Sequence, residues 1–136
     1  MLSPSLDTLR LFLHIVAGAI WVGGQFTLAG VVPTLRRSAP DALAGVARAY
    51  GRLAWPSFVL LVATGMWNLM EIDITEVSSA VQATVLVHVA LGMLAGGAAA
   101  VHSFGGSRVA LAVGGAVGAL ASLAAVFVGV LIRVSG

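Results

Sequence analysis

The sequence predicts an all-α integral membrane protein whose four helices form an up-down-up-down bundle. Of its 136 residues, 60% are hydrophobic and only 9% are charged, and the mean hydropathy is +1.07. Such a chain has too little polar surface to face water. Its apolar residues fall into four stretches, each close to the roughly 20 residues that cross a bilayer as a helix. We therefore expect a single transmembrane domain over residues 1–136.

The predicted spans are joined by short connections, which favour antiparallel neighbours and a parallel first and third span. The first span is expected to end at Pro33, with Arg36 and Arg37 in the polar turn that follows. Pro56 lies inside the second span and is expected to kink it. No signal-peptide pattern precedes the first span, so we expect it to be retained. The spans cover about residues 9–32, 53–70, 80–101 and 109–132.

The positive charges indicate topology rather than nucleic-acid binding. All seven are Arg, and they are spread over the loops without a basic run. Five lie on one side of the predicted bundle, so the positive-inside rule places both termini outside. The absence of Cys excludes disulfides and thiolate metal sites. The five are Arg36, Arg37, Arg48, Arg52 and Arg108, and the other two are Arg10 and Arg133.

Two of the three histidines lie within predicted spans, where an imidazole is costly unless it has a partner. His14 and His88 both fall roughly 8–10 Å below the same outer surface, counted at 1.5 Å per residue. Two helices thus offer one imidazole each at the same depth. We predict that the pair binds a metal or a haem b between the first and third helices. The alternative is that each is a core histidine bonded to a neighbouring carbonyl.

The residues one turn to either side of each histidine fit a flat macrocycle. Gly18 and Gly92 follow the two histidines by four residues and are predicted to leave a groove. Arg10 and Thr84 precede them by four residues, where haem propionates would find a cation and a hydroxyl. Helix packing is the alternative role for the glycines. A snorkelling position at the interface is the alternative for Arg10.

Trp21 and His102 are secondary candidates. Trp21 lies seven residues after His14, on a similar face, where it forms a wall of the cofactor site or packs against a neighbouring helix. His102 returns to the face of His88 roughly 21 Å deeper, but the corresponding position of the first span is Leu28. We therefore assign His102 to the inner interface, with a second haem site as the alternative.

The fourth span carries small residues at four-residue spacing, a pattern that lets two membrane helices approach closely. They are Gly114, Gly118 and Ser122. The pattern predicts packing within the chain or, alternatively, the seam of a homodimer.

Two segments resemble a known family. The run LHIVAGAIWVGGQF with Pro33, and the run GRLAWPSFVLLVATGMWNL, are similar to the first two helices of the copper-resistance D (CopD) family and the related HemJ-type protoporphyrinogen oxidases. This resemblance covers about half the chain and implies that His14 and His88 occupy the positions of the HemJ functional pair. HemJ-like proteins have Lys where His88 stands, so the oxidase activity does not transfer directly. Histidine at both positions instead favours a haem b bound by two imidazoles.

We expect a CopD/HemJ-like protein of the bacterial plasma membrane that uses haem b for electron transfer or a membrane redox step. The first alternative, implied by the CopD resemblance, is copper transport or copper binding through the two histidines and Met66, Met70 or Met93. The second is a structural membrane subunit without a cofactor. No carboxylate lies within a span and no nucleophile has a positioned base, so hydrolysis and proton-coupled antiport are poorly supported.

Overall fold

The computed structural model describes residues 3–135 as an all-α chain of four long helices. No strand occurs in this part of the chain, and each helix is long and apolar enough to cross a membrane. The predicted fold class is confirmed, and the chain is an integral membrane protein. The helices are α1 (Leu6–Ser38), α2 (Leu43–Met70), α3 (Ser79–Phe104) and α4 (Arg108–Ser135).

Serine side chains begin three of these helices. The first backbone N–H groups of a helix have no partner within the helix, and a serine hydroxyl at the preceding position accepts from one of them. Ser5 accepts from the N–H of Thr8 at 3.2 Å. Ser78 and Ser107 accept from the N–H three residues later at 3.3 and 3.1 Å, respectively. The helix boundaries are therefore fixed locally at the ends of the apolar stretches.

The prediction that the first helix ends at Pro33 is wrong, because α1 continues through this residue to Ser38. Proline removes a single hydrogen-bond donor, and the helical bonds on either side of it suffice to continue the helix. The end comes at Ala39, whose φ of −151° is extended. This residue precedes Pro40, and the proline ring disfavours helical geometry in the residue before it. Similarly, α2 runs through Pro56 without interruption.

The described residues form two compact units, residues 3–72 and residues 73–135, and each is an antiparallel helical hairpin. The first hairpin pairs α1 with α2 around Trp21, which is only 4% exposed. The indole ring lies 4.6 Å from the ring of Phe58 and 5.7 Å from that of Trp55, measured between centroids. The Tyr50 hydroxyl donates to the Trp21 carbonyl at 3.1 Å. These contacts fix the register of the first hairpin.

The second hairpin packs α3 closely against the small residues of α4. Gly114, Gly118 and Ser122 are all buried. A Cβ atom on Gly114 would lie 2.7 Å from the Ala98 carbonyl oxygen and 2.7 Å from the His102 nitrogen, so only glycine fits between these backbones. The four-residue spacing of these small residues predicted packing within the chain or a homodimer seam, and the structure shows packing within the chain.

The segment before α3 is held by polar bonds. The Thr75 hydroxyl and the Thr75 N–H both donate to Asp73, at 2.6 and 3.0 Å. The hydroxyl bond, and secondarily the N–H bond, hold the pKa of the Asp73 carboxyl below its ordinary value. The Gln82 amide donates to the Ile74 carbonyl at 2.7 Å and ties this segment to the first turn of α3.

We expect Gly114→Ala to destabilise the protein by about 1–3 kcal/mol, because the added methyl group must push two backbones apart. Gly97→Ala is the matched control, since nothing lies within 4 Å of its Cβ position. Thermal unfolding in detergent, followed by circular dichroism, measures the difference. Equal melting temperatures for the two variants would show that the helices do not approach this closely.

Candidate cofactor-binding histidines

His14 lies in the third turn of α1 and bonds to α2. Its Nδ1 atom is 3.0 Å from the hydroxyl oxygen of Thr64, which is itself 3% exposed. The hydroxyl oxygen also lies 2.7 Å from the carbonyl of Leu60, which can only accept. With the hydroxyl proton donated to this carbonyl, the hydroxyl accepts from His14, and we assign the imidazole proton to Nδ1. The ring lies over Gly65, where a Cβ atom would come within 3.2 Å of the imidazole carbon Cε1.

His88 has the corresponding place in the second hairpin, in the third turn of α3. Its Nδ1 atom donates to the backbone carbonyl of Ala125 at 2.9 Å. A carbonyl only accepts, so this bond also assigns the proton to Nδ1. The ring lies over Gly129, where a Cβ atom would come within 3.1 Å of the imidazole carbon Cε1. In each hairpin, the Nδ1 atom of the histidine bonds to the neighbouring helix and the ring lies over a glycine of that helix.

His102 repeats the arrangement near the end of α3. Its Nδ1 atom donates to the Leu111 carbonyl at 2.6 Å, and a Cβ atom on Gly115 would come within 2.9 Å of the same ring nitrogen. Unlike the other two histidines, His102 is exposed. Its assignment to the inner interface stays a prediction.

One physical reason explains why the rings of His88 and His102 lie over glycine. A helical carbonyl keeps one lone pair outside its own helical bond, and the side chain four residues later shields it. Glycine at that later position leaves the carbonyl open. His88 and His102 bond to such carbonyls, whereas His14 bonds to the Thr64 hydroxyl. Each imidazole therefore has its hydrogen-bond partner on the neighbouring helix.

This hydrogen bonding fixes which nitrogen has the lone pair. With the proton on Nδ1, the neutral imidazole has its lone pair on Nε2. Histidines that bind metal ions commonly donate their other ring N–H to a carbonyl or another acceptor, which orients the ring and raises its basicity as a ligand. His14 and His88 meet this chemical requirement, and both are half-buried.

Arg10 lies one turn before His14, as the sequence requires, and two carboxylates contact its guanidinium group. Nη2 is 3.1 Å from Asp7, and Nη1 is 3.8 Å from Glu71 at the end of α2. The side chain is 14% exposed. Its Nε and Nη1 atoms are shielded from solvent and make no hydrogen bond with the described residues. Two buried donors of a cation thus lack an acceptor, which is costly in an apolar medium.

Thr84 lies one turn before His88, but its hydroxyl donates within α3, to the Ala80 carbonyl at 2.7 Å. This common bond leaves the oxygen able to accept but not to donate elsewhere. Together with Val81 and Ile132, Thr84 lines a small cavity of about 170 Å³ between the end of α4 and the beginning of α3.

The remaining predicted site residues have different surroundings. The Cβ position of Gly18 lies 3.5 Å from a methyl group of Leu61, in ordinary contact, whereas nothing lies within 4 Å of that of Gly92. Gly18 therefore packs against α2, the alternative role that the sequence allowed, whereas the space beside Gly92 is open within its own hairpin. Trp21 has the packing role that the sequence allowed as its alternative, with its ring against Trp55 and Phe58.

Sequence reasoning missed Thr64, Gly65 and Gly129, the residues that hold the two interior imidazoles. It looked for glycine one turn beyond each histidine on the same helix. Side chains in a helix tilt toward its N-terminus, so the rings do not cover that turn. The adjacent residues Thr64 and Gly65 in the second span are a sequence signal that could have identified the contact site of the His14 ring on α2.

No protein-family model, no curated protein and no solved structure matches this chain. What the fold and the site define is a class: an integral membrane protein of two helical hairpins, each with one half-buried imidazole hydrogen-bonded across its two helices. Within residues 3–135 there is no group of three or more His, Asp or Glu side chains that could hold a bare metal ion.

We expect imidazole nitrogen NMR to find His14 and His88 with the proton on Nδ1 in protein prepared without haem. Thr64→Val should alter the resonances of His14 alone and cost about 1–3 kcal/mol, because the buried Nδ1–H loses its acceptor. Thr84→Val is the matched control, since its hydroxyl bonds only within its own helix. An Nε2–H tautomer at His14 in the wild-type protein would contradict the assignment.

Proposed function

We propose that this chain binds one haem b in the membrane and that His14 and His88 are the residues that would hold it. The observation that carries the proposal is the hydrogen bond that the Nδ1 atom of each histidine makes to the neighbouring helix. Both donate from Nδ1 to the neighbouring helix, so the lone pair is on Nε2, the nitrogen that would bind iron. When bound, the haem would supply a one-electron redox centre for electron transfer or a membrane redox step.

The donor set fits this group. A porphyrin leaves its iron able to bind further nitrogen ligands, and the imidazoles of His14 and His88 would supply them. The hydrogen bonds from Thr64 and Ala125 would orient the rings and strengthen them as ligands.

Arg10 fits a haem propionate. Its shielded Nε and Nη1 donors have no hydrogen-bond acceptor among the described residues, and a propionate would supply one. Asp7 and Glu71 offset much of the charge of Arg10, so its role would be directional hydrogen bonding rather than attraction over a distance. On the second hairpin, the Thr84 hydroxyl is already committed as a donor and would contribute less.

The resemblance to the CopD and HemJ-type families, carried by two segments of the first two helices and more loosely by the third span, points to the same residues. It implies a functional group at the positions of His14 and His88, and histidine at both positions provides matching ligands. We further propose that both termini face outward and that the side carrying Arg36 and Arg48 faces the cytoplasm, as the excess of Arg on that side indicates.

We expect purified protein supplemented with haem to show a Soret band. His14→Ala and His88→Ala should each lose most of this absorbance, because either change removes a coordinate bond and its orienting hydrogen bond. His102→Ala should retain the wild-type spectrum. Absorption spectra of the oxidised and reduced protein, with iron and copper determined by elemental analysis, measure the outcome.

Folding is controlled in two ways in this experiment. Circular dichroism reports whether each variant keeps its helical content. His88→Lys retains a long side chain with a nitrogen ligand, as in the HemJ-type proteins, and should bind more haem than His88→Ala. Equal losses in the His88 and His102 variants, or a wild-type protein that binds copper and no haem, would refute the proposal.

We expect a cysteine at position 36 to react with a membrane-impermeant thiol reagent only after the cells are opened. A cysteine at position 76 should react in intact cells. The chain has no native Cys, so each single substitution gives an unambiguous signal. Strong labelling of position 36 from outside would reverse the proposed orientation.

A further inference from the structure

The charges of α2 lie at the two ends of a long apolar stretch. Residues 53–70 contain no charged side chain, and Glu71 follows them directly. At 1.5 Å per residue these 18 residues cover about 27 Å, close to the ~30 Å thickness of the hydrocarbon core. Arg52 therefore lies at one boundary of the hydrocarbon and Glu71 at the other. Arg48 is one turn farther out.

Arg48 and Arg52 are exposed, and their four-residue spacing places them on one face of α2. Neither makes an ion pair or a hydrogen bond with any residue from 3 to 135. Arg10, near the opposite end of this hairpin, contrasts with them because Asp7 and Glu71 offset its charge. The positive charge of the pair is thus available to a partner outside the chain.

Apolar surface follows these two arginines on their own face of α2. Tyr50 lies between them in sequence and therefore on the opposite face, where its ring contacts Gly24 of α1. Pro56 and Val59 follow Arg52 by four and seven residues on the arginine face, and both are exposed, Val59 to 65%. Arg48 and Arg52 therefore combine two guanidinium groups with adjoining apolar surface. Arg36 and Arg37 lie about 18 Å along the axis of α1 from Gly24, beyond this surface.

We propose that Arg48 and Arg52 bind the phosphate of an anionic phospholipid. A guanidinium group donates two parallel hydrogen bonds to phosphate oxygens, and two such groups one turn apart can hold one headgroup between them. The depth matches the boundary of the hydrocarbon, so the acyl chains extend along the apolar part of the hairpin. The site does not involve the histidines and does not depend on haem binding.

Titration of lipid into detergent-purified protein, with bound lipids counted by native mass spectrometry, tests the site. The probes are dioleoyl phosphatidylglycerol, dioleoyl phosphatidylcholine and inorganic phosphate. We expect the wild-type protein to prefer phosphatidylglycerol over phosphatidylcholine. In the double variant Arg48→Gln/Arg52→Gln this preference should fall by about 20- to 30-fold, as expected from about 1 kcal/mol for each arginine.

The double variant Arg36→Gln/Arg37→Gln is the matched control, because it removes the same charge from the same hairpin. It should keep at least most of the wild-type preference. Equal losses in the two double variants would overturn the proposal by showing a general charge effect. Binding of inorganic phosphate in competition with the lipid at equal concentration would identify a free-anion site instead. Circular dichroism of each variant confirms that the helices are intact.

Discussion

The structure depends on one constraint: a polar group in an apolar medium must find its partner within the protein. The two interior imidazoles satisfy it by reaching across each hairpin, to Thr64 from His14 and to the Ala125 carbonyl from His88. Such bonds require the helices to approach closely, and glycine at the contact makes this approach feasible. The packing of each hairpin and the chemistry of its histidine therefore have a common origin.

The same bonds determine what the histidines can do. An acceptor on the neighbouring helix assigns the proton to Nδ1 and gives the lone pair to Nε2. For His88 the acceptor is a backbone carbonyl, which no side-chain movement can withdraw. For His14 it is the Thr64 hydroxyl, which two α2 carbonyls hold in turn. Rings that are oriented by a hydrogen bond, with the lone pair assigned to Nε2, suit a ligand role, and this is the physical basis for proposing haem.

Charge is distributed unevenly along the first hairpin. Near its one end, the guanidinium of Arg10 is shielded and contacts two carboxylates that belong to the chain itself. Toward the other end, Arg48 and Arg52 are exposed and have no acidic partner among the described residues. A shielded arginine whose charge is offset within the chain can bind a group inside the protein. Exposed arginines without an acidic partner can bind an anion outside it. The two ends are accordingly proposed to hold a haem propionate and a lipid phosphate.

The sequence by itself determined the four helices and their membrane-spanning character, because mean hydropathy and stretch length are sums over local residues that need no knowledge of neighbours. It also identified the histidines, since an imidazole within an apolar stretch is conspicuous. Only the tertiary structure decided that α1 continues through Pro33, and that Gly65 and Gly129, rather than glycines near each histidine in sequence, lie beneath the rings. The reason is that a side chain bonds to whatever the facing helix presents, and the register between two helices is set by their packed surfaces, which no single segment of the sequence contains.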